Sequence, residues 1–133
     1  MTQQVNDKQA QSFAIGAAIV PLSLWNFAGI AGGIINTTVA TTIAPAVSGL
    51  VNYLTGMGFS TDTLGAATEI VVRDGTGGTV IWRTKLQTTT LPYTHIEFKT
   101  PLKSTAGNLL EIVTLTATVS GGVYVNAQGF VAQ

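Results

Sequence analysis

Cysteine is absent from the 133 residues, and charge is scarce. Without a thiol the chain has no disulfide staple, no cysteine nucleophile and no thiolate zinc site. Lys, Arg, Asp and Glu make up 9% of the residues, where an ordinary soluble domain carries about 25%. Six bases balance six acids, so the formal charge is zero. A neutral chain presents no electrostatic footprint to phosphate backbones or anionic lipid, which argues against nucleic acid as a partner. Histidine occurs once, at His95. A His-rich metal site is thereby excluded, and any Ser-His-Asp arrangement depends on that one side chain.

What is abundant is apolar. Hydrophobic residues reach 46%, and a lone monomer so short of interspersed charge is poorly protected against association. Much of the surface is therefore expected to be covered by partners. The length suits one domain with a single core. The few charges are also unevenly placed: after Asp7 and Lys8 none occurs until Asp62, and the other ten fall between there and Glu111. The N-terminal half is the part least suited to face water alone.

Met1 to Ser12 is polar and Gln-rich, the composition of an arm ordered only by a partner. Phe13 to Ile35 follows as an uncharged run long enough to raise the question of a membrane span, and Gly29 and Gly33 have the GxxxG spacing of paired membrane helices. Pro21, Ser23, Asn26 and the glycines Gly29, Gly32 and Gly33 interrupt it, and no Lys/Arg cluster sets an orientation. A membrane association is thus the minor alternative. A secretory signal matches less well, with only Lys8 beside Asp7 ahead of the apolar stretch. The reading adopted is an arm over residues 1–24 and a β-sandwich domain over 25–133.

From Asn36 onward, short β-branched or aromatic segments alternate with turn residues, the pattern of a sandwich or barrel. Thr37 to Ile43, Tyr53 to Ser60, Glu69 to Arg73 and Thr79 to Leu86 read as strands. The last two flank the hairpin loop Asp74-Gly75-Thr76-Gly77-Gly78. In Thr94 to Thr100, Ile96 and Phe98 share one face and His95, Glu97 and Lys99 the other, with Pro101 expected to end the strand. Leu109 to Val119 is a long apolar and Thr-rich run. Glu111 has the parity of Val113 and Leu115 there, which predicts a bulge or a sheet edge. In Val123 to Ala132, Val123, Val125, Ala127 and Val131 point one way and Tyr124, Asn126, Gln128 and Phe130 the other. The expected fold is an all-β, single antiparallel β-sandwich of seven or eight strands, jelly-roll-like, with an extended N-terminal arm.

Chemistry is hard to assemble from these residues. His95 beside Glu97 and Lys99 reads as a solvated or interface side chain. Asp62, Glu69, Asp74, Glu97 and Glu111 show no spacing that selects a glycosidase-like pair. The Asp74 to Gly78 loop has the glycines of a phosphate cradle but lacks the GK[ST] ending and a following helix. Asn36-Thr37-Thr38 fits a glycosylation acceptor, which without a secretory signal carries little weight. The aromatics, Trp25, Tyr53, Phe59, Trp82, Phe98, Tyr124 and Phe130, are spread about one per strand, as packing anchors are. They are not interleaved with Lys or Arg as on a nucleic-acid platform. Trp25 or Trp82 in a sugar-binding cleft is the alternative use. No enzyme, cofactor or metal is expected.

Taken in order, several pieces resemble small structural proteins of tailed bacteriophages. They run from Trp25, Gly32-Gly33-Ile34 and Asn36-Thr37 through Gly49-Leu50-Val51-Asn52-Tyr53-Leu54-Thr55 and Val72 to Gly75. Val80-Ile81-Trp82, Phe98 ahead of Pro101-Leu102, Thr105-Ala106-Gly107 and the closing Val123 to Phe130 complete them. Only their order is informative, and they cover the chain from about Trp25 to its end. The resemblance implies a jelly-roll or related sandwich that decorates or cements a capsid surface, with tail or fibre modules as the alternative. The implied partners are copies of the chain itself as a homo-oligomer and the major capsid protein of the same virion. It transfers no catalytic residue. The expected contact residues are Val5, Phe13, Ile15, Ile19, Val20, Leu22, Leu24 and Trp25, on a segment Val5 to Leu24 extended along a neighbour. Hydroxyls of Thr84, Thr114, Thr116 and Thr118 are expected to add uncharged contact surface.

Overall fold

The computed structural model describes residues 19–34 and 38–133. Eight strands occur there and no helix. They are β1 (Ser23–Phe27), β2 (Thr41–Ala44), β3 (Val51–Thr61), β4 (Thr68–Asp74), β5 (Thr79–Leu86), β6 (Leu91–Lys103), β7 (Leu110–Thr114) and β8 (Val123–Ala132). All ladders are antiparallel. β1 pairs β8, β2 pairs β7, β3 pairs β6 and β4 pairs β5, the pattern of one long hairpin whose tip is the β4–β5 turn. Rolling that hairpin adds the β3–β8 and β4–β7 ladders. The result is two sheets, ordered β1-β8-β3-β6 and β2-β7-β4-β5. That strand order is a jelly roll, the expected class of β-sandwich.

The core forms where the two inner faces meet. Leu54, Met57, Phe59, Val123, Val125 and Ala127 from the first sheet pack with Ile70, Val72, Leu110 and Ile112 from the second. The alternation expected for β8 is present, with Val123, Val125, Ala127 and Val131 buried and Asn126 and Gln128 exposed. At one end Asn52 ties the sheets together. Its buried side-chain amide donates to the carbonyls of Pro45 at 2.9 Å and Asn108 at 3.1 Å, which flank β2 and β7. Such a buried donor is tolerated because both partners are fixed.

Register breaks explain where strand parity and sequence part company. In β3 one residue, Thr55, is extra against β8, between the pairs Leu54↔Gly129 and Gly56↔Gln128. The core-facing side chains therefore switch from an even position, Leu54, to odd ones, Met57 and Phe59, while Tyr53 is buried by its stack on Phe130. Pro101 does not end its strand: β6 runs from Leu91 to Lys103 and contains both Pro92 and Pro101. β6 is an edge strand, and each proline sits in a register break against β3, between Leu102 and Glu97 and between Thr94 and Leu91. A residue without an N–H is harmless in such places.

Glu111 is not at an edge either. β7 lies between β2 and β4, and the break falls on β2, where Ile43 is extra between the pairs Thr42↔Glu111 and Ala44↔Leu110. The long run Leu109 to Val119 is strand only to Thr114. Beyond it the Leu115 N–H still reaches the Glu69 carbonyl, and the Thr116 N–H reaches the Thr68 hydroxyl. The chain then leaves the ladder, exposing Leu115 and Val119.

Candidate functional site

Among the described residues β1 is the outer strand of its sheet, hydrogen-bonded on one side, to β8. Its alternation turns Trp25 and Phe27 onto the core and leaves Leu24 outside. Gly129, paired with Trp25, makes room for the indole: a Cβ there would lie 2.5 Å from Trp25 Cζ2 and 1.9 Å from the Tyr53 carbonyl oxygen. The Trp25 Nε1 is buried without a hydrogen-bond partner, so the side chain is held by packing. Ahead of it the Leu22 N–H donates to the Val131 carbonyl at 2.8 Å. Leu22, Ser23 and Leu24, expected in the arm, are thus hydrogen-bonded or in register alongside β8.

Four apolar side chains at this edge face outward. Ile19 is 41% exposed, Leu22 60%, Val20 61% and Leu24 77%. No charged residue lies between Ile19 and Phe27. Of the expected contact residues, these four and half-buried Trp25 lie close together; Val5, Phe13 and Ile15 lie outside the described residues, as does most of the expected arm. The threonine expectation needs correction. Thr114 and Thr118 are fully buried and Thr84 is half-buried, which leaves Thr116 alone of the four exposed. Thr114 has the parity of Leu110 and Ile112 in β7, which face the core.

The carboxylates are taken up by structural bonds. The buried Glu111 carboxylate accepts from Arg73 Nε at 2.7 Å and from the Gly77 N–H at 2.8 Å. Glu69 pairs with Arg83 at 3.2 Å, and Asp62 accepts from the Gly122 N–H at 3.0 Å. Asp74 accepts from the Thr105 N–H and hydroxyl and from the Asn108 amide. Desolvation pushes the Asp74 carboxyl up, but those three donors outweigh it and hold the group below its ordinary value. In the glycine-rich turn the Gly77 N–H is bound to Glu111 and the Gly78 N–H to the Gly75 carbonyl. The turn closes a hairpin with the N–H groups of Gly75, Gly77 and Gly78 already engaged, an arrangement unlike a phosphate cradle.

His95 sits on the exposed face of β6, with Nε2 2.9 Å from Glu97 and Nδ1 3.5 Å from the Tyr93 hydroxyl. Among the described residues no group of three His, Asp or Glu side chains is placed to hold a metal ion, and no helix is long and apolar enough to cross a membrane. Trp82 is wedged between Phe59 at 6.1 Å and Phe98 at 6.4 Å, ring centroid to ring centroid. It plugs the β5–β6 side of the core as a packing anchor, in place of lining a sugar cleft.

No family model matches the chain, and no curated protein matches it. Among solved structures it is similar to the tobacco streak virus coat protein, with 16% identity, 86% of this chain and 90% of that chain covered, and a TM-score of 0.37. It is also similar to a chain in the structure of infectious bursal disease virus Gt strain, with 17% identity, 87% of this chain and 30% of that chain covered, and a TM-score of 0.24. At such values the fold assignment stands on the strand order itself.

Proposed function

We propose that the chain is a structural subunit of a bacteriophage virion, a decoration or cement protein on the capsid surface. It would bind copies of itself and the major capsid protein. The observation that carries this reading is the uncharged outer edge at β1, where Ile19, Val20, Leu22 and Leu24 stand exposed in a chain with few charges to keep it apart. Fully burying one such side chain is worth about 1.5–3 kcal/mol. Four give roughly 6–12 kcal/mol gross, the same size as the roughly 4–15 kcal/mol cost of association. One copy alone would bind weakly. Many equivalent copies on a shell add their contacts and stabilise it as a unit. The jelly roll supports the reading as an architecture used in capsids, although lectins use it too.

The test is to count copies in purified particles and to challenge particles lacking the protein with heat or chelator. Stoichiometric occupancy with fragile depleted particles is the expected result. A few copies per particle would instead assign the chain to a tail or fibre. Release of the protein from lipid on deleting Phe13 to Leu24 would assign it to a membrane.

A further inference from the structure

Next to the apolar β1 edge, the outer face of the β1-β8-β3-β6 sheet holds a feature the capsid reading does not use. The central strand β3 carries two glycines two residues apart, Gly56 and Gly58, in register with Gln128 and Asn126 of β8 and with Glu97 and His95 of β6. Glycine weakens a strand interior, and its presence often marks a close approach from outside. Both glycines are approached. A Cβ on Gly58 would lie 2.0 Å from the Tyr93 hydroxyl oxygen, and one on Gly56 3.2 Å from Gln128 Nε2. Tyr93 reaches this position because Pro92 and Tyr93 fall in the register break between Thr94 and Leu91. A bulge re-aims a side chain in this way.

With those side chains in place a hollow of about 210 Å³ remains, reaching Asn26 and Ala28 on the far side. Its chemistry is mostly amide and aromatic. No Lys, Arg, Asp or Glu lines it, and the one imidazole in its wall, His95, has its Nε2 engaged by the Glu97 carboxylate at 2.9 Å. The Asn126 Oδ1 accepts from the Gly29 N–H, leaving its NH2 group as the outward donor. Asn26 and Gln128 are exposed, and neither side-chain amide has a hydrogen-bond partner among the described residues. Each amide offers both a donor and an acceptor, as a hydroxyl group needs. Tyr93, 58% exposed, adds an apolar ring with a polar tip.

We infer that this hollow is a binding site for a neutral saccharide unit. Tyr93 would lie against the apolar face of the sugar ring, and Asn26, Asn126 and Gln128 would bond its hydroxyls. With no Lys or Arg in the wall and His95 held against the Glu97 carboxylate, phosphate and carboxylate ligands are disfavoured. The volume is below the roughly 300–1,000 Å³ of a drug-sized pocket and suits one ring. A shallow, exposed site of this size binds weakly, with Kd on the order of 1 mM for a single copy, and gains avidity when many copies are displayed.

The experiment is a protein-observed NMR titration of the isolated, 15N-labelled full chain, which makes it independent of the capsid reading. The probes are glucose, galactose, mannose, rhamnose and N-acetylglucosamine, with inorganic phosphate and glucuronate as charged controls. Saturable binding of at least one neutral sugar is expected, with shifts at the backbone amides of Gly56 and Gly58. Tyr93→Ala and Gln128→Ala should each weaken it by roughly tenfold or more, and Tyr93→Phe should keep most of it. Both positions are exposed, so the thermal midpoint is expected to stay near the native one. No binding by any neutral sugar, binding confined to the charged controls, shifts confined to other strands, or affinity unchanged in both alanine variants would each overturn the assignment.

Discussion

Arg73 and Glu111 are direct cross-strand partners in the β4–β7 ladder, and the Glu111 side chain is almost fully buried there. One carboxylate oxygen takes Arg73 Nε, Arg73 Nη2 and the Gly77 N–H together. Removing the carboxylate leaves a guanidinium and a turn N–H without their acceptor. Breaking such a buried pair costs about 3–5 kcal/mol. Arg73 keeps 22% exposure and can turn toward water, so Glu111→Ala is expected near the low end, about 3 kcal/mol, by urea denaturation. The double variant Arg73→Met/Glu111→Leu should recover most of that loss, since apolar replacement of both partners is often neutral. A single variant within about 0.5 kcal/mol of the native protein would show that the pair contributes little.

Glu111 also marks how far the sequence could be read. Its parity announced an irregularity, yet the position of β7 depends on a β2 partner roughly seventy residues away, which no local pattern contains. Strands with a uniform inner face were legible: β8 alternates from Val123 to Val131, and Ile96 and Phe98 of β6 both pack on the core. No face could be assigned to β3, where a bulge inserts one residue at Thr55, because the hydrophobic set changes sides there without any change in composition. Pro101 misled for a related reason, since an edge strand accepts proline where a central one does not. At the candidate surface, the apolar character of Ile19 to Leu24 was visible at once. The saccharide hollow was not, because Tyr93, Gln128 and Gly58 meet only through the β3–β6 and β3–β8 registers.

Asp74 makes the stability depend on acid. Its folded-state pKa lies below the ordinary value of 3.8 despite the desolvation that opposes it, through bonds from Thr105 and Asn108. A depressed carboxylate contributes stability that is fully present above the unfolded pKa and is lost as pH falls through the folded one. The contribution should therefore be intact at neutral pH and decline from about pH 4 downward. Asp74→Asn should be less stable at pH 7, and the gap between variant and native protein should narrow at pH 3. A constant gap in urea midpoints at the two pH values would remove Asp74 as the source.

Gly129 is the tightest point between β1 and the rest of its sheet. A methyl group there would meet the Tyr53 carbonyl oxygen and the Trp25 ring together, and the carbonyl cannot move without disturbing the β3–β8 ladder. Overpacking of this kind costs about 1–3 kcal/mol, and backbone on one side puts Gly129→Ala at the upper end. Calorimetry should show a lowered melting temperature. Hydrogen exchange should show weaker protection across Ser23–Phe27 than across β4, because the β1 pairing is displaced first. An unchanged melting temperature would mean the indole can slide aside.

Val119 is the one described non-glycine residue with positive φ, at 68°. The Ser120 N–H donates to the Thr118 carbonyl at 2.7 Å across it, the i→i+2 bond of a strained γ-turn. A β-branched side chain is the least suited to that backbone, and the valine is 64% exposed, so packing does not repay the strain. The strain is of order 1–3 kcal/mol, while glycine adds roughly 0.5–1 kcal/mol of unfolded-chain entropy. Val119→Gly is therefore expected to raise stability by about 1 kcal/mol, a gain of roughly 3–5 °C in melting temperature. The same substitution separates two reasons for the residue's presence. If the exposed valine serves only the loop, the stabilised variant should associate with itself and with particles as the native chain does. Stabilisation accompanied by weaker association would place this loop among the surfaces that hold the subunit to its neighbours. A variant less stable than native would show that the turn is not strained as its φ angle indicates.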